Sequence, residues 1–392
     1  MDFQTEVCAV GVGQLISIRK GRKVNKKVLT REESRYPVLN IECLRGGEPT
    51  EYASDDRGIL CNSDDILIVS DGANAGLVGT NLVGYVGSTI TKLEVLDKKR
   101  VNYLYLYHFL KVKFDYLNNN TIGAAIPHLD KMRLLQLEIP LPSMEGQIHV
   151  VSVLEKIEGI KTKERRKNEL FRELYEAIFY ELVGPSASEY EKWDSQKIKD
   201  LVEAPVRSGP FGSQLLRSEI QEEGEVAVFG IDNAVKRKFS WGKERRFISM
   251  EKYEQLKRYT VYPDDVIITI MGTVGCAAVV PAEIPVAITT KHLATLTVDR
   301  RKVEPQYIAS AFNHHPEVHQ QIQQKDRGAI MSGLNIGIIR EIELKIPPLV
   351  EQQKYVHIVS HLEKIELSIT NSLIIANKLY EETAREFFLT KG

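Results

Sequence analysis

His149-Val150-Val151-Ser152-Val153-Leu154-Glu155-Lys156-Ile157-Glu158 returns as His357-Ile358-Val359-Ser360-His361-Leu362-Glu363-Lys364-Ile365-Glu366, identical at eight of ten positions at an offset of 208 residues. Outward from this pair, other landmarks recur in the same order. Asp64-Asp65-Ile66 followed by Gly76 returns as Asp264-Asp265-Val266 followed by Gly275. Asp97-Lys98-Lys99-Arg100-Val101 returns as Asp299-Arg300-Arg301-Lys302-Val303, and Ile-Pro at 139–140 reappears at 346–347. An ordered set of matches is not a coincidence, so the chain reads as a tandem duplication. Its period is far longer than the roughly 20–50 residues of solenoids, which makes each unit a domain with an appendage. Two such units predict pseudo-twofold symmetry, with two similar faces for two copies of a partner.

Each unit ends in a long helical run. Pro140-Leu141-Pro142 and Pro347-Pro348 cannot continue a strand ladder and mark a boundary. Beyond them, residues 145–182 contain no Pro and only Gly146 and Gly159, and residues 350–389 contain neither Pro nor Gly. Val359, Leu362, Ile365, Ile369, Leu373, Ala376 and Tyr380 step by three and four, as do Phe171, Leu174, Ile178 and Leu182, with Leu154 and Ile157 upstream. Nearly forty residues make a helix of roughly 57 Å. Such a helix with one apolar stripe needs a partner along its length, and its duplicate is the obvious one. The alternative is two shorter helices broken at Gly159 or within Lys161–Glu169.

Ahead of each helix, strand-like runs (Tyr36–Ile41, Ile66–Val69, Thr91–Val95; Val266–Ile270, Ala294–Val298) alternate with Gly-rich turns. One helical stretch interrupts them in each half, Val101–Leu117 and Pro305–Gln324. The expected fold class is α+β: two pseudo-symmetric mixed α/β domains, residues 1–138 and 191–345, separated by a pair of long antiparallel helices, residues 139–190 and 346–392, wound as a coiled coil.

Composition excludes several classes. The 392 residues, 43% hydrophobic and 27% charged, can bury real cores and are too apolar for wholesale disorder. A net charge of -1 argues against a generally basic nucleic-acid coat. Cys8, Cys43, Cys61 and Cys276 are far apart, which fits neither a disulfide scaffold nor a zinc module and points to a reducing compartment. No run of about 18 apolar residues occurs. The N-terminal charges are in the wrong order for a signal peptide, so a cytoplasmic protein is expected.

No phosphate loop, G-x-G-x-x-G, G-x-S-x-G or H-E-x-x-H motif is present. His315 and His319 have the spacing of two ligands on a helix, but no third donor stands near, and a solvated helix end is the better reading. Asp64-Asp65 and Asp264-Asp265 precede strands, where Asp favours a turn over a nuclease metal site. No catalytic, cofactor-binding or metal-ligating residue is assigned.

Lysines and arginines do cluster. Arg19, Lys20, Arg22, Lys23, Lys26 and Lys27 form one group. Lys236, Arg237, Lys238, Lys243, Arg245 and Arg246 form a second, around Trp241. Lys98, Lys99 and Arg100 recur as Arg300, Arg301 and Lys302, ahead of a helix start where basic residues oppose the dipole. Polar stretches with Asn119 and Asn120, and with Gln324, Lys325 and Arg327, occupy matching places and read as loops. Such residues suit phosphate anchoring and base-edge hydrogen bonds in double-stranded DNA.

At this point the chain resembles a family. Two variable domains, each followed by a Pro-marked helix of LEKIE type, are similar to the specificity subunit of type I restriction-modification systems. Ser208-Gly209-Pro210-Phe211-Gly212-Ser213-Gln214-Leu215 looks like the opening of a target recognition domain of that family. Ile346-Pro347-Pro348-Leu349-Val350-Glu351-Gln352-Gln353 resembles its I-P-P-L-x-E-Q-x helix opening. The first copy departs, with Gly146 between Glu145 and Gln147 and Ile18-Arg19-Lys20-Gly21-Arg22 in place of G-P-F-G. The resemblance implies a non-catalytic role in which each recognition domain reads one half of a bipartite DNA target. The helices would act as a spacer and dock two methyltransferase subunits. Motor-nuclease restriction subunits would complete the complex, and S-adenosylmethionine, ATP and magnesium would belong to the partners. The other reading is a structural adaptor on the same scaffold, without sequence-specific contacts.

Overall fold

The computed structural model describes residues 8–25, 28–29, 35–54, 57–123, 125–242, 244–326 and 334–389. The chain divides into two compact units, residues 1–166 with 370–392, and residues 167–369.

The first unit contains β1 (Cys8–Gly11), β2 (Ile16–Lys20), β3 (Tyr36–Leu39), α1 (Ile41–Leu44), β4 (Tyr52–Ala53), β5 (Leu60–Cys61), β6 (Ile66–Val69) and β7 (Val78–Gly79). It continues with β8 (Gly84–Val86), β9 (Ile90–Val95), α2 (Tyr103–Val112), α3 (Phe114–Asn119), α4 (Lys131–Gln136), β10 (Glu138–Leu141) and the start of α5 (Met144–Val183). The second unit holds the rest of α5, then β11 (Ser195–Lys197), β12 (Arg207–Ser208), β13 (Val226–Phe229), β14 (Phe247–Ile248), α6 (Met250–Leu256), β15 (Thr260–Val261) and β16 (Val266–Thr269). There follow β17 (Ala277–Val279), β18 (Ala287–Thr289), β19 (Leu293–Leu296), α7 (Pro305–His314), α8 (Pro316–Asp326), α9 (Ile336–Arg340), β20 (Glu343–Lys345) and α10 (Leu349–Leu389), whose last part returns to the first unit.

The duplication is explicit in the topology. Sheets ordered β2-β9-β6-β7 and β4-β3-β8-β5, with the ribbon β1-β10, recur as β12-β19-β16-β17, β14-β13-β18-β15 and β11-β20. Among the described residues a single pair in each half is parallel, β3 with β8 and β13 with β18. The runs at Ile66–Val69 and Val266–Thr269 are strands buried on both faces, whereas the run from Tyr36 is a strand only to Leu39, with Tyr36 exposed and Ile41 opening α1. Ile66 and Ile68 of β6 face Leu106, Phe109 and Leu110 of α2, while Leu67 joins Leu39, Cys61 and Val86 of the second sheet. The helical stretches each break once. Lys113, with ψ at 5°, separates α2 from α3. Pro316, lacking an N–H, ends α7 at His314 and starts α8.

Both long helices are unbroken, 40 and 41 residues, or about 60 Å each. Gly159 does not interrupt α5; a side chain there would meet nothing within 4 Å. In the first unit Val150, Leu154 and Ile157 of α5 and Tyr380, Ala384 and Phe388 of α10 complete the domain's core. Buried His108 of α2 ties both together, through Tyr380 Oη at 2.8 Å and Glu155 Oε1 at 2.9 Å. In the second unit Phe179 and Val183 pack with Tyr355 and Val359. There Tyr175 Oη donates to Glu366 at 3.1 Å and Phe179 packs edge-on to Tyr355, so the segments run antiparallel.

The helix register differs from the one the matching decapeptides imply. Gln147 and Gln352 are both fully buried and bonded alike. Gln147 Oε1 accepts from Asn102 N, and its Nε2 donates to the carbonyls of Arg100 and Pro142. Gln352 Oε1 accepts from Glu304 N, and its Nε2 donates to those of Lys302 and Pro347. Tyr105 Oη reaches the Pro140 carbonyl as Tyr307 Oη reaches that of Lys345. Pro142 therefore matches Pro347, and Ile139-Pro140 does not match Ile346-Pro347. The structural offset is 205 residues (147 to 352), three short of the sequence offset. Gly146 stands where Glu351 does, so the first helix opening keeps its glutamine in frame. Accordingly Ile157 is buried and its decapeptide counterpart Ile365 is 51% exposed. Of the other stripe residues, Leu154 and Ile369 are buried, Ile178, Leu362 and Leu373 half-buried, and Leu174 exposed. Glu366, one position on, takes the seam position expected for Ile365.

Candidate nucleic-acid interface

In both halves a glycine lets the end of one sheet cross another at backbone contact. A Cβ on Gly21 would stand 2.1 Å from the Gly87 carbonyl, and one on Gly209 would stand 1.9 Å from that of Thr289. Arg19-Lys20-Gly21-Arg22 is thus the first domain's counterpart of the Ser208-Gly209-Pro210 opening, although the flanking residues differ. Around Gly21, Arg19, Arg22 and Lys23 are exposed with no acidic partner among the described residues. Lys20 is spent, on Asp71 at 2.9 Å, which also takes His128 at 2.6 Å. Burial raises the Asp71 carboxyl, but these two bonds outweigh it and hold it below its usual range.

The second domain places its basic cluster between β13 and β14. Lys236, Arg237 and Arg245 are exposed there without acidic partners among the described residues. Arg245 lies over the Trp241 ring at 5.0 Å, and Trp241 packs edge-on to Phe229 and Phe239. Lys238 is taken by Glu366 at 3.2 Å, and Arg246 pairs with Asp232. An open cleft of about 760 Å³ adjoins, lined by Arg217, Asp232, Arg246, Thr290 and His292 among others. Arg217, Asp232, Thr290 and His292 are not legible as site residues in the sequence, since they come from segments far apart along the chain.

The repeated basic triplets have a structural explanation. Lys98 pairs with Asp64, and Arg300 with Asp264 at 2.7 Å and Glu304 at 3.3 Å. Arg301 and Lys302 serve Asp299, whose carboxyl Arg301 draws down to about 2. The recurrence is therefore a turn clamp present in both halves, which removes the argument that charge before these helices marks a DNA contact. Lys99 and Arg100 remain exposed. The second aspartate of each pair is buried: Asp65 is met by Lys92 at 2.7 Å and Asp265 by Arg207 at 2.8 Å. Both also take a turn N–H, from Asn62 and Tyr262, as the turn reading expects.

The amide-rich stretches are helix ends rather than loops. Asn119 ends α3, exposed, and Asn120 spends its amide on the Tyr116 carbonyl at 2.8 Å. Gln324 is exposed within α8. Lys26, Lys27, Lys243 and Arg327 lie outside the described residues, as does the Lys325 side chain. The histidine run is not solvated: His315 is buried, its Nε2 meeting Tyr190 Oη at 2.9 Å, and desolvation lowers His314 and His315 to about 4. Among the described residues no cluster of three or more metal-ligating side chains occurs, and no helix is long and apolar enough to cross a membrane.

Similarity to known proteins agrees with this arrangement. The sequence profile described as type I restriction modification DNA specificity domain matches residues 6–172 and 190–376, once per repeat. The type I restriction enzyme MjaVIII specificity subunit of Methanocaldococcus jannaschii is 31% identical over 59% of this chain and 56% of its own length. That match spans little more than half of the relative. The EcoBI specificity subunit of Escherichia coli is 20% identical over 97% of this chain and 85% of its own. The crystal structure of the type I restriction-modification S subunit from M. genitalium shares the fold, with a TM-score of 0.61 at 17% identity, covering 100% of this chain and 99% of that one. A profile met twice, on a duplicated fold of this kind, makes the chain a member of the type I restriction-modification DNA specificity family.

Proposed function

We propose that this chain is the non-catalytic DNA-recognition subunit of a type I restriction-modification complex, each domain reading one half of a bipartite target. The observation that carries this is the pairing of a repeated topology with unlike surfaces. The two domains share strand order and helix clasp, yet present different basic surfaces, Arg19, Arg22 and Lys23 in one and Lys236, Arg237 and Arg245 beside a cleft in the other. A common scaffold with different contact residues suits two different half-sites.

The helices then set the gap and dock two methyltransferase subunits. Exposed apolar residues recur at the structural offset: Ile160 and Ile365, Leu170 and Ile375, Leu174 and Leu379. Apolar exposure repeated in register suits two copies of one partner. S-adenosylmethionine, ATP and magnesium belong in this proposal to the methyltransferase and restriction subunits.

The test is to co-express the chain with its methyltransferase and map methylated bases in cellular DNA. A single bipartite motif with a fixed gap is expected, and no methyl transfer by the chain alone. Methylation by the isolated chain, or a motif unchanged when the chain is omitted, would refute the assignment.

A further inference from the structure

The cleft wall of the second unit holds more hydrogen-bonding capacity than the fold uses. Gly230 lets the Arg246 guanidinium lie against the backbone; a Cβ there would stand 2.8 Å from Nη2 and 2.9 Å from Nη1. Gly242 makes room for Asp232 in the same way, its Cβ position being 1.8 Å from Oδ2. Asp232 Oδ1 accepts from Arg246 Nη2, while the two side chains stay 40% and 30% exposed. Arg246 Nε and Thr290 Oγ1, both shut off from solvent, have no hydrogen-bond partner among the described residues, and such orphans are costly. Desolvation, with Lys291 and Arg246 adding to it, lowers His292 below its ordinary value. Its neutral ring can donate at one nitrogen and accept at the other. Asn233 is already spent: its Oδ1 accepts from Gly230 N at 2.8 Å and its Nδ2 donates to the Ser240 carbonyl at 2.9 Å.

A donor fork held beside an acceptor carboxylate matches the major-groove edge of one base pair. Guanine presents two acceptors, O6 and N7, and its cytosine presents an N4 donor beside them; arginine suits the first and aspartate the second. Adenine calls for an amide, and Asn233 is committed to the backbone and, through Oδ1, to Arg246 Nη2 at 3.5 Å. We propose that Arg246, positioned by Asp232, determines specificity for a G·C pair in the half-site read by the second domain, with Asp232 accepting from the cytosine. His292 lines the cleft beside them and takes the neighbouring polar contact. The assignment rests on the DNA-recognition reading above.

The experiment uses the full chain with its methyltransferase and compares methylation motifs of wild type, Arg246→Ala, Arg246→Lys and Asp232→Asn. Arg246→Lys keeps the charge beside Asp232 and loses the planar fork, so it reports on reading where the alanine variant fails to fold. Loss of the constraint at one G·C position of one half-site is expected, with discrimination there falling roughly 5- to 150-fold and the other half-site and the gap unchanged. A wild-type bipartite motif that every folded variant leaves intact overturns this assignment alone, as does relaxation confined to an A·T position. A wild-type chain that directs no sequence-specific methylation overturns the recognition reading, and this assignment with it.

Discussion

Gln147 and Gln352 show how much one side chain can fix. Each amide uses its oxygen and nitrogen on three backbone groups, joining the start of a long helix to the turn ahead of α2 or α7. Because these groups are buried, a partnerless one costs roughly 1–3 kcal/mol. Gln352→Leu should therefore lower unfolding stability by on the order of 3 kcal/mol in denaturant titration, while Gln353→Leu, at an exposed position next to it, should change it little. Equal effects would mean that the clasp carries no special weight. Other residues explain why the basic clusters can be recognised in the sequence but not ranked. Lys20, Lys98, Lys238, Arg300, Arg301 and Lys302 owe their charges to Asp71, Asp64, Glu366, Asp264 and Asp299. Apart from Asp299, which is two and three residues from Arg301 and Lys302, those acids lie 34 to 128 residues away in sequence, and no local pattern reveals such pairings.

At the level of elements, the sequence is most readable where periodicity is long. The absence of proline over some forty residues, with apolar steps of three and four, is enough to place α5 and α10, and continuous apolar runs place β6 and β16. Register is not readable. The matching decapeptides lie three residues out of structural phase, because a string of Leu, Glu, Lys and Ile fits many places on an amphipathic helix. Burial of a glutamine, invisible in the sequence, sets the true phase. The cleft is equally hidden, since Arg217, Arg246 and His292 converge only once β13, β14 and β18 pair. The helices also carry a prediction. Inserting four residues at matching points of α5 and α10 adds about 6 Å. The methylated motif should keep both half-sites and change only the gap between them, as read by methylome sequencing. An altered half-site with a fixed gap would refute the spacer role.

For the whole molecule, the net charge of -1 hides an uneven spread. Residues 1–138 and 191–345 each carry +1, and the two helical stretches supply the deficit. Domains so nearly neutral hold DNA through a few exposed cations, so the chain alone should bind weakly and rely on partners to enclose the duplex. Replacing Lys236, Arg237 and Arg245 with Ala should flatten the salt dependence of DNA binding by about 0.9 in log–log slope for each phosphate left unneutralised. An unchanged slope would show that this surface does not meet the backbone. Chain order has a further effect, on synthesis. The first domain's core needs Tyr380, Ala384 and Phe388, yet all of the second unit is translated before them. At about 5–20 residues per second, the ribosome spends roughly 10–40 s between Arg166 and Tyr380. For that interval the first domain waits with an open apolar flank, the second can close first, and the nascent chain has its longest exposure to chaperones and proteases.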